Sequence, residues 1–243
     1  MIALASPFRK AAALMGALAL LAACGGQNAA APDGFKPVPV TPVIGDVPLG
    51  AEDAPVTILE YASYTCSHCR DFWKQDFPRL KASYIDTGKV KFVYRDYPLD
   101  DNLAVTLAML GRCKGKESYF AVVDDIFSNQ YEILVAAQQG QAGPILLGIA
   151  GRHGMTPDEV RTCIDHKPDL KASIIASREE GSSRGVNSTP AVFINDERVE
   201  DHSYDNLVKL IEDKLNPGAA PATPPAGETP APVEAAPVSE PAQ

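Results

Sequence analysis

The chain has 243 residues, a formal net charge of −9 and five cysteines. An acidic chain without a basic cluster is a poor nucleic-acid binder, because grip on a phosphate backbone rests on clustered Lys and Arg. The middle of the chain is long enough for one domain with a sizeable core, and both ends differ from it in composition.

Residues 1–23 read as a secretory signal. Arg9 and Lys10 are its charged start, and the apolar run 11–22 is too short to span a bilayer as a permanent helix. The run ends at Leu21-Ala22-Ala23-Cys24-Gly25, which resembles a bacterial lipobox. On that resemblance Cys24 becomes the first mature residue and carries lipid, with enough acyl chains for stable membrane anchoring. The other reading is an ordinary cleaved signal with Cys24 incidental. Losing Arg9 and Lys10 with the signal takes the formal charge from −9 to −11. Residues 24–46 are rich in Ala, Gly and Pro and read as a flexible tether. The domain is expected over 47–216, and the Pro/Ala-rich segment 217–243 is expected to be a disordered tail.

Residues 54–61 form an apolar strand. Glu60 is out of place in such a run. It is either buried, where it prefers to be neutral or to exchange protons with a thiol, or it faces water at the strand end. A short turn then leads to Cys66-Ser67-His68-Cys69. Positions i and i+3 on a first helical turn share one face, so two sulfurs there can close a small disulfide and reopen it. At a helix N-terminus the free N–H groups and the dipole stabilise a thiolate. His68 can add positive charge beside the sulfur, and Ser67 a hydroxyl donor. The spacing points to a thiol–disulfide exchange centre with Cys66 as nucleophile and Cys69 as resolving thiol. Zinc would need four ligands, and neither a second C-x-x-C nor paired histidines appear. A c-type haem site needs His directly after the second cysteine, where Arg70 stands. A purely structural disulfide would close a loop so short that it restricts the unfolded chain little.

Periodicity predicts a helix over 67–84, with Phe72, Trp73, Phe77, Leu80 and Tyr84 inward and a kink or a break at Pro78. Trp73 reads as packing. Residues 90–94 alternate as a second strand, parallel to the first by crossover. Helical patterns follow over 102–113, 117–128 and 143–150, then a helix opened by Thr156-Pro157-Asp158-Glu159 that carries Cys163, then 168–183. Residues 191–194 form a third strand, 195–198 a turn, Val199 starts a short fourth strand, and 204–215 is a closing helix. These strands make a four-stranded mixed sheet, and the block between the outer parts packs as a helical subdomain. His153, His166 and His202 read as surface residues.

The run Glu60-Tyr61-Ala62-Ser63-Tyr64-Thr65-Cys66-Ser67-His68-Cys69, with Arg95-Asp96-Tyr97-Pro98-Leu99 and Gly185-Val186-Asn187-Ser188-Thr189-Pro190-Ala191-Val192-Phe193, resembles the DsbA-like thiol–disulfide oxidoreductases of bacterial envelopes. The resemblance implies an α/β, thioredoxin-like fold with an inserted helical subdomain at about residues 100–166. It implies a cis Thr189-Pro190 bond beside the active disulfide, where an extended substrate pairs with the Thr189 backbone. Glu60 matches the family's buried acid. Ser67 departs from the Pro of the commonest family dipeptide, and Thr189 from the Val of the best-known oxidases. In an oxidising compartment Cys113 and Cys163 are expected to pair, as the second disulfide of some family members does. Such a bond is worth on the order of 4 kcal/mol in a loop-entropy reckoning; two buried free thiols are the alternative.

The expected activity is introduction of disulfides into cysteine-containing exported proteins, without metal or cofactor. The family implies reoxidation by a quinone-linked membrane partner. The expected place is the bacterial periplasm, as a lipid-anchored monomer, with the choice of membrane open. The alternatives are an envelope disulfide reductase or isomerase, and a non-enzymatic binding module on the same scaffold.

Overall fold

A computed structural model describes residues 45–216. The expected signal, Cys24, the expected tether up to residue 44 and the expected tail from residue 217 lie outside the described residues. Among the described residues no helix is long and apolar enough to cross a membrane.

The core is a mixed sheet of five strands in the order β1-β3-β2-β4-β5. These are β1 (Val47–Leu49), β2 (Val56–Ala62), β3 (Val90–Asp96), β4 (Ala191–Ile194) and β5 (Glu197–Val199). Central β2 runs parallel to β3, from Val56 opposite Val90 to Ala62 opposite Asp96, and antiparallel to β4. The four-stranded expectation is corrected by β1, which pairs antiparallel with the outer side of β3. Three residues with Pro48 in the middle carry no readable alternation, and proline is tolerated there because an edge strand leaves one row of backbone groups unpaired. The hairpin turn is also shorter than expected. Asn195 and Asp196 alone turn the chain, both at positive φ (47° and 67°), as in the tight turns that match strand twist. Glu197 and Arg198 belong to β5.

Helix α1 covers 67–85. It opens as an α-helix at Ser67–Asp71, widens to π geometry at Phe72–Asp76, returns to α at Phe77–Leu80 and widens again at Lys81–Ile85. Pro78 has no N–H to give the preceding turn. The wider winding before it, with the Phe77 N–H on the Phe72 carbonyl, replaces the expected kink. Phe72, Trp73, Phe77, Leu80 and Tyr84 are buried on one face of the sheet. Trp73 stacks on Phe77 with centroids 4.1 Å apart.

The connection from β3 to β4 holds α2 (Leu103–Cys113), α3 (Lys116–Ser128), α4 (Gln130–Gln138), α5 (Ala142–Arg152), α6 (Pro157–Asp165) and α7 (Pro168–Ser183). Helix α4 has no counterpart in the sequence reading. Only Gln130 and Ile133 of its nine residues are buried, so it shows no apolar period. Helix α6 starts with a reciprocal capping box between Thr156 and Glu159. Arg112 of α2 makes a buried ion pair with Asp96 at the end of β3 (2.6 Å), tying these helices to the sheet. Cys113 and Cys163 are joined by a disulfide, S–S 2.00 Å, that links α2 to α6 across 50 residues of sequence.

Helix α7 covers the other face of the sheet. A Cβ on its Gly181 would lie 2.9 Å from the ring of Tyr61, so the close approach requires glycine. Helix α8 (Tyr204–Leu215) packs Leu207, Val208 and Ile211 into the core on the α1 side.

Replacing both Cys113 and Cys163 by alanine is expected to lower unfolding free energy by about 4 kcal/mol. Denaturant unfolding measures it, and thiol titration should show Cys66 unmoved.

Candidate active site

Strand β2 ends at Ala62, and three residues carry the chain to Cys66. The Cys66 N–H closes this turn on the Ser63 carbonyl at 3.1 Å. Cys66 is the N-cap of α1, with extended backbone (φ −88°, ψ 122°). An N-cap side chain conventionally satisfies a free N–H of the first turn, and here a sulfur does so: the Cys69 N–H donates to Cys66 Sγ at 3.3 Å. The Cys66 thiol in turn donates to the Thr189 carbonyl at 3.3 Å, next to the cis Thr189–Pro190 bond that leads into β4. Both cysteines are free thiols here.

The two sulfurs are electrostatically opposite. Cys66 is pulled from 9.0 down to about 5, first by the hydrogen bond with the Cys69 thiol; burial works against this, and the Thr189 side chain and the Cys69 and His68 backbone N–H groups add to it. Cys69 is wholly buried. Its thiol is pushed far up, first by burial, then by its hydrogen bond to Cys66 and by the Glu60 carboxylate. Charge is therefore held on the outer sulfur and kept off the inner one.

Glu60 resolves to the buried of its two readings. It is 1% exposed, and neither carboxylate oxygen has a protein hydrogen-bond partner. Burial, and then the charge of Cys66, raise its carboxyl well above the usual range. Burial of this kind favours the protonated carboxyl, which can pass its proton to a neighbouring sulfur.

The fold thus brings Cys66, Cys69, Glu60, Thr189 and Pro190 to one place. Ser67 and His68 face outward and are exposed. The contribution of His68 to the sulfur is made through its backbone N–H. His68 lines a groove of about 360 Å³ together with Asp71, Phe72, Gln75, Asp201 and His202, among others. Two histidines therefore depart from the plain surface reading. His202 is part of this groove, and His153 is half-buried against Asp125, with Nε2 3.0 Å from Oδ2. Among the described residues no group of three or more His, Cys, Asp or Glu side chains is placed to hold a metal ion. Cys113 and Cys163 lie away from the site in the helical layer. Sequence reasoning missed Gln130, whose amide donates to the carbonyls of Tyr64 and Cys66, each at 2.8 Å. A glutamine in an unrecognised helix offers no signal of this; only the packing of α4 on the cysteine turn reveals it.

The sequence profile of the thioredoxin family matches residues 43–213, well over half of the chain. A relative in Rickettsia prowazekii that carries a provisional protein-disulfide oxidoreductase name is 30% identical over 185 residues, covering 75% of this chain and 66% of the relative. The chain spans between 60% and 66% of the length of rickettsial relatives such as this one. Disulfide bond formation protein D of Bacillus subtilis is 26% identical over 177 residues, covering 70% of this chain and 78% of that protein. Among solved structures, alpha-DsbA1 of Wolbachia pipientis superposes with a TM-score of 0.61 at 28% identity, over 71% of this chain and 92% of that one. BdbD of Bacillus subtilis, at 23% identity and a TM-score of 0.63, covers 74% of this chain and 98% of its own and shares the fold. With its mixed five-stranded sheet, its helical insertion and its paired cysteines at the start of α1, the chain belongs to the thioredoxin family, in the DsbA-like group that it resembles in sequence and fold.

Proposed function

We propose that this chain is a thiol–disulfide oxidoreductase that donates disulfides to exported proteins through Cys66 and Cys69. The observation that carries the reading is the asymmetry of the two sulfurs: an outer thiol poised as thiolate and an inner thiol held protonated. Stabilising the reduced form makes the oxidised pair a stronger oxidant.

In the oxidised protein a substrate thiolate attacks Cys66 Sγ, the less buried of the two sulfurs. A substrate–Cys66 bond forms, the Cys66–Cys69 bond breaks, and Cys69 leaves with the electron pair. Glu60, protonated and adjacent, supplies the proton that the buried Cys69 needs. A second substrate thiolate then attacks the substrate's own sulfur in the mixed disulfide, and Cys66 departs as the stable thiolate. The substrate has lost two electrons and the cysteine pair has gained them. The Thr189 backbone, already beside Cys66 Sγ, is the edge on which an extended substrate would pair. The Thr189 side chain stabilises the thiolate, which favours the oxidising direction over the reductase or isomerase alternative.

Lipid attachment at Cys24, with the tether holding the domain off the membrane, is supported by the Leu21-Ala22-Ala23-Cys24 run. It would place the protein on the periplasmic side of a bacterial membrane, within reach of a membrane oxidant. A quinone-linked redox protein is the proposed acceptor of the two electrons.

The pH dependence follows from the thiol. In the reduced protein Cys66 ionises in the folded state near 5 and in the unfolded state near 9. Between these values the unfolded chain binds one more proton at this thiol, so the stability of the reduced form relative to the oxidised form rises with pH by up to about 1.4 kcal/mol per unit; the raised carboxyl of Glu60, whose own slope is opposite, is common to both forms. The gain is complete above about 9 and is lost as pH falls to about 5. The oxidised form lacks this titration. Unfolding of both redox states across this range should give diverging curves; parallel curves would remove the basis of the reading.

Redox equilibration with glutathione is expected to give a potential nearer about −120 mV than about −270 mV. A value near the latter would reverse the direction of electron flow. Cys66→Ser should abolish disulfide exchange. Cys69→Ser, given a disulfide-containing peptide, should accumulate a covalent adduct on Cys66 that mass spectrometry detects.

A further inference from the structure

We infer that Gln130 is a positioning residue for Cys66: its side-chain amide, delivered by helix α4, holds the cysteine turn in the geometry that aims the first N–H groups of α1 at Cys66 Sγ. Gln130 is 1% exposed and lies 64 residues from Cys66 in sequence. Its Nε2 donates to two carbonyls of the turn, Tyr64 O and Cys66 O, both at 2.8 Å. An amide nitrogen has two hydrogens, so one group satisfies both acceptors at once and bridges the turn from one side.

The turn is also held by the packing of Tyr64 on Tyr94 and Phe127 and by the bonds of Cys66 Sγ to the Cys69 N–H and the Thr189 carbonyl, none of which fixes the Tyr64 carbonyl. Within the turn, Cys66 N–H donates to Ser63 O at 3.1 Å, Thr65 N–H to Ser63 Oγ at 3.4 Å, and the Ser63 and Thr65 hydroxyls are 3.1 Å apart. The Cys66 carbonyl also accepts the Arg70 N–H, at 3.2 Å, which opens the helix. The direction of that carbonyl is set by ψ of Cys66, 122°. The same torsion sets where the following N–H groups stand relative to Sγ. A donor that pins the carbonyl therefore pins the N–H groups of His68 and Cys69 against the sulfur, without touching the sulfur itself.

The other end of the side chain argues that its donors are what the position requires. Gln130 Oε1 is buried with no protein partner, so it is the two hydrogens and not the carbonyl oxygen that the surrounding protein engages. An apolar side chain of similar length would fill the same space but withdraw the donor from both carbonyls. The inference rests on Cys66 being the reactive thiol, and it adds that the helical layer tunes that thiol through one side chain.

Gln130→Met keeps length and volume and removes the donors. Thiolate absorbance titration of the reduced full domain, with Cys66→Ser as blank, is expected to show the Cys66 ionisation constant about tenfold lower in this variant. The equilibrium with glutathione should shift about tenfold toward the disulfide form, equivalent to about 30 mV more reducing. Ile133→Val, which loosens the same helix without touching the amide, should leave the titration where it is. If Gln130→Met lowers the stability of oxidised and reduced protein alike and leaves the titration unmoved, Gln130 is only structural and the inference is wrong. Gln130→Asn keeps the amide but shortens its reach, so its thiol must also titrate higher; this variant decides the matter if the methionine variant does not fold. A wild-type Cys66 that titrates like an ordinary cysteine would instead defeat the oxidoreductase reading itself.

Discussion

A sulfur in the place of a helix cap is the constraint on which this structure turns. The first turn of any helix presents N–H groups with no internal partner, and most proteins satisfy them with an oxygen. Here Cys66 Sγ accepts the Cys69 N–H. A thiolate accepts such bonds better than a thiol, so the capping requirement becomes a preference for negative charge on one atom. Everything behind that atom works the other way. Cys69 is enclosed, and Glu60 lies beneath it without a hydrogen-bonding partner. Two identical side chains three residues apart acquire opposite acid–base character, the outer one from the hydrogen bonds it receives and the inner one first from its burial.

The architecture serves this arrangement from several directions. Central β2 carries Glu60 on the α1 side and delivers the chain to Cys66. Its antiparallel neighbour β4 starts just after Pro190, which brings the Thr189 carbonyl to the sulfur. The inserted helices supply Gln130 against the back of the turn. That layer is secured by the Cys113–Cys163 bond and the buried Arg112–Asp96 pair. On the opposite face α7 packs a glycine against Tyr61, whose hydroxyl donates to Glu180 of the same helix. The reactive centre is held between elements distant in sequence, so its electrostatics depend on the fold as a whole.

Exposure is arranged as strictly as charge. Ser67 and His68 face outward while the sulfurs they separate do not. The groove beside His68 brings in His202 from the segment leading to α8. The surface next to the cysteine turn is thus built from the cysteine helix and this later segment, and the Thr189 carbonyl contacts the sulfur itself.

Local chemistry made part of this visible in the amino-acid sequence. The spacing of Cys66 and Cys69, the apolar strand before them, the inward stripe of Phe72, Trp73, Phe77, Leu80 and Tyr84, and the capping box at Thr156 are short-range patterns, and short-range patterns are what a sequence records directly. Strand β1 and helix α4 were not legible, because three residues around Pro48 and a helix with two buried residues have no period to detect. The burial of Glu60, the half-buried His153 and the placement of Gln130 were decided by tertiary structure alone. Whether a carboxylate is desolvated, or which carbonyls an amide reaches, depends on surfaces contributed by residues dozens of positions away. Sequence determines which groups are present and how they repeat; only the folded chain determines how much water each one keeps.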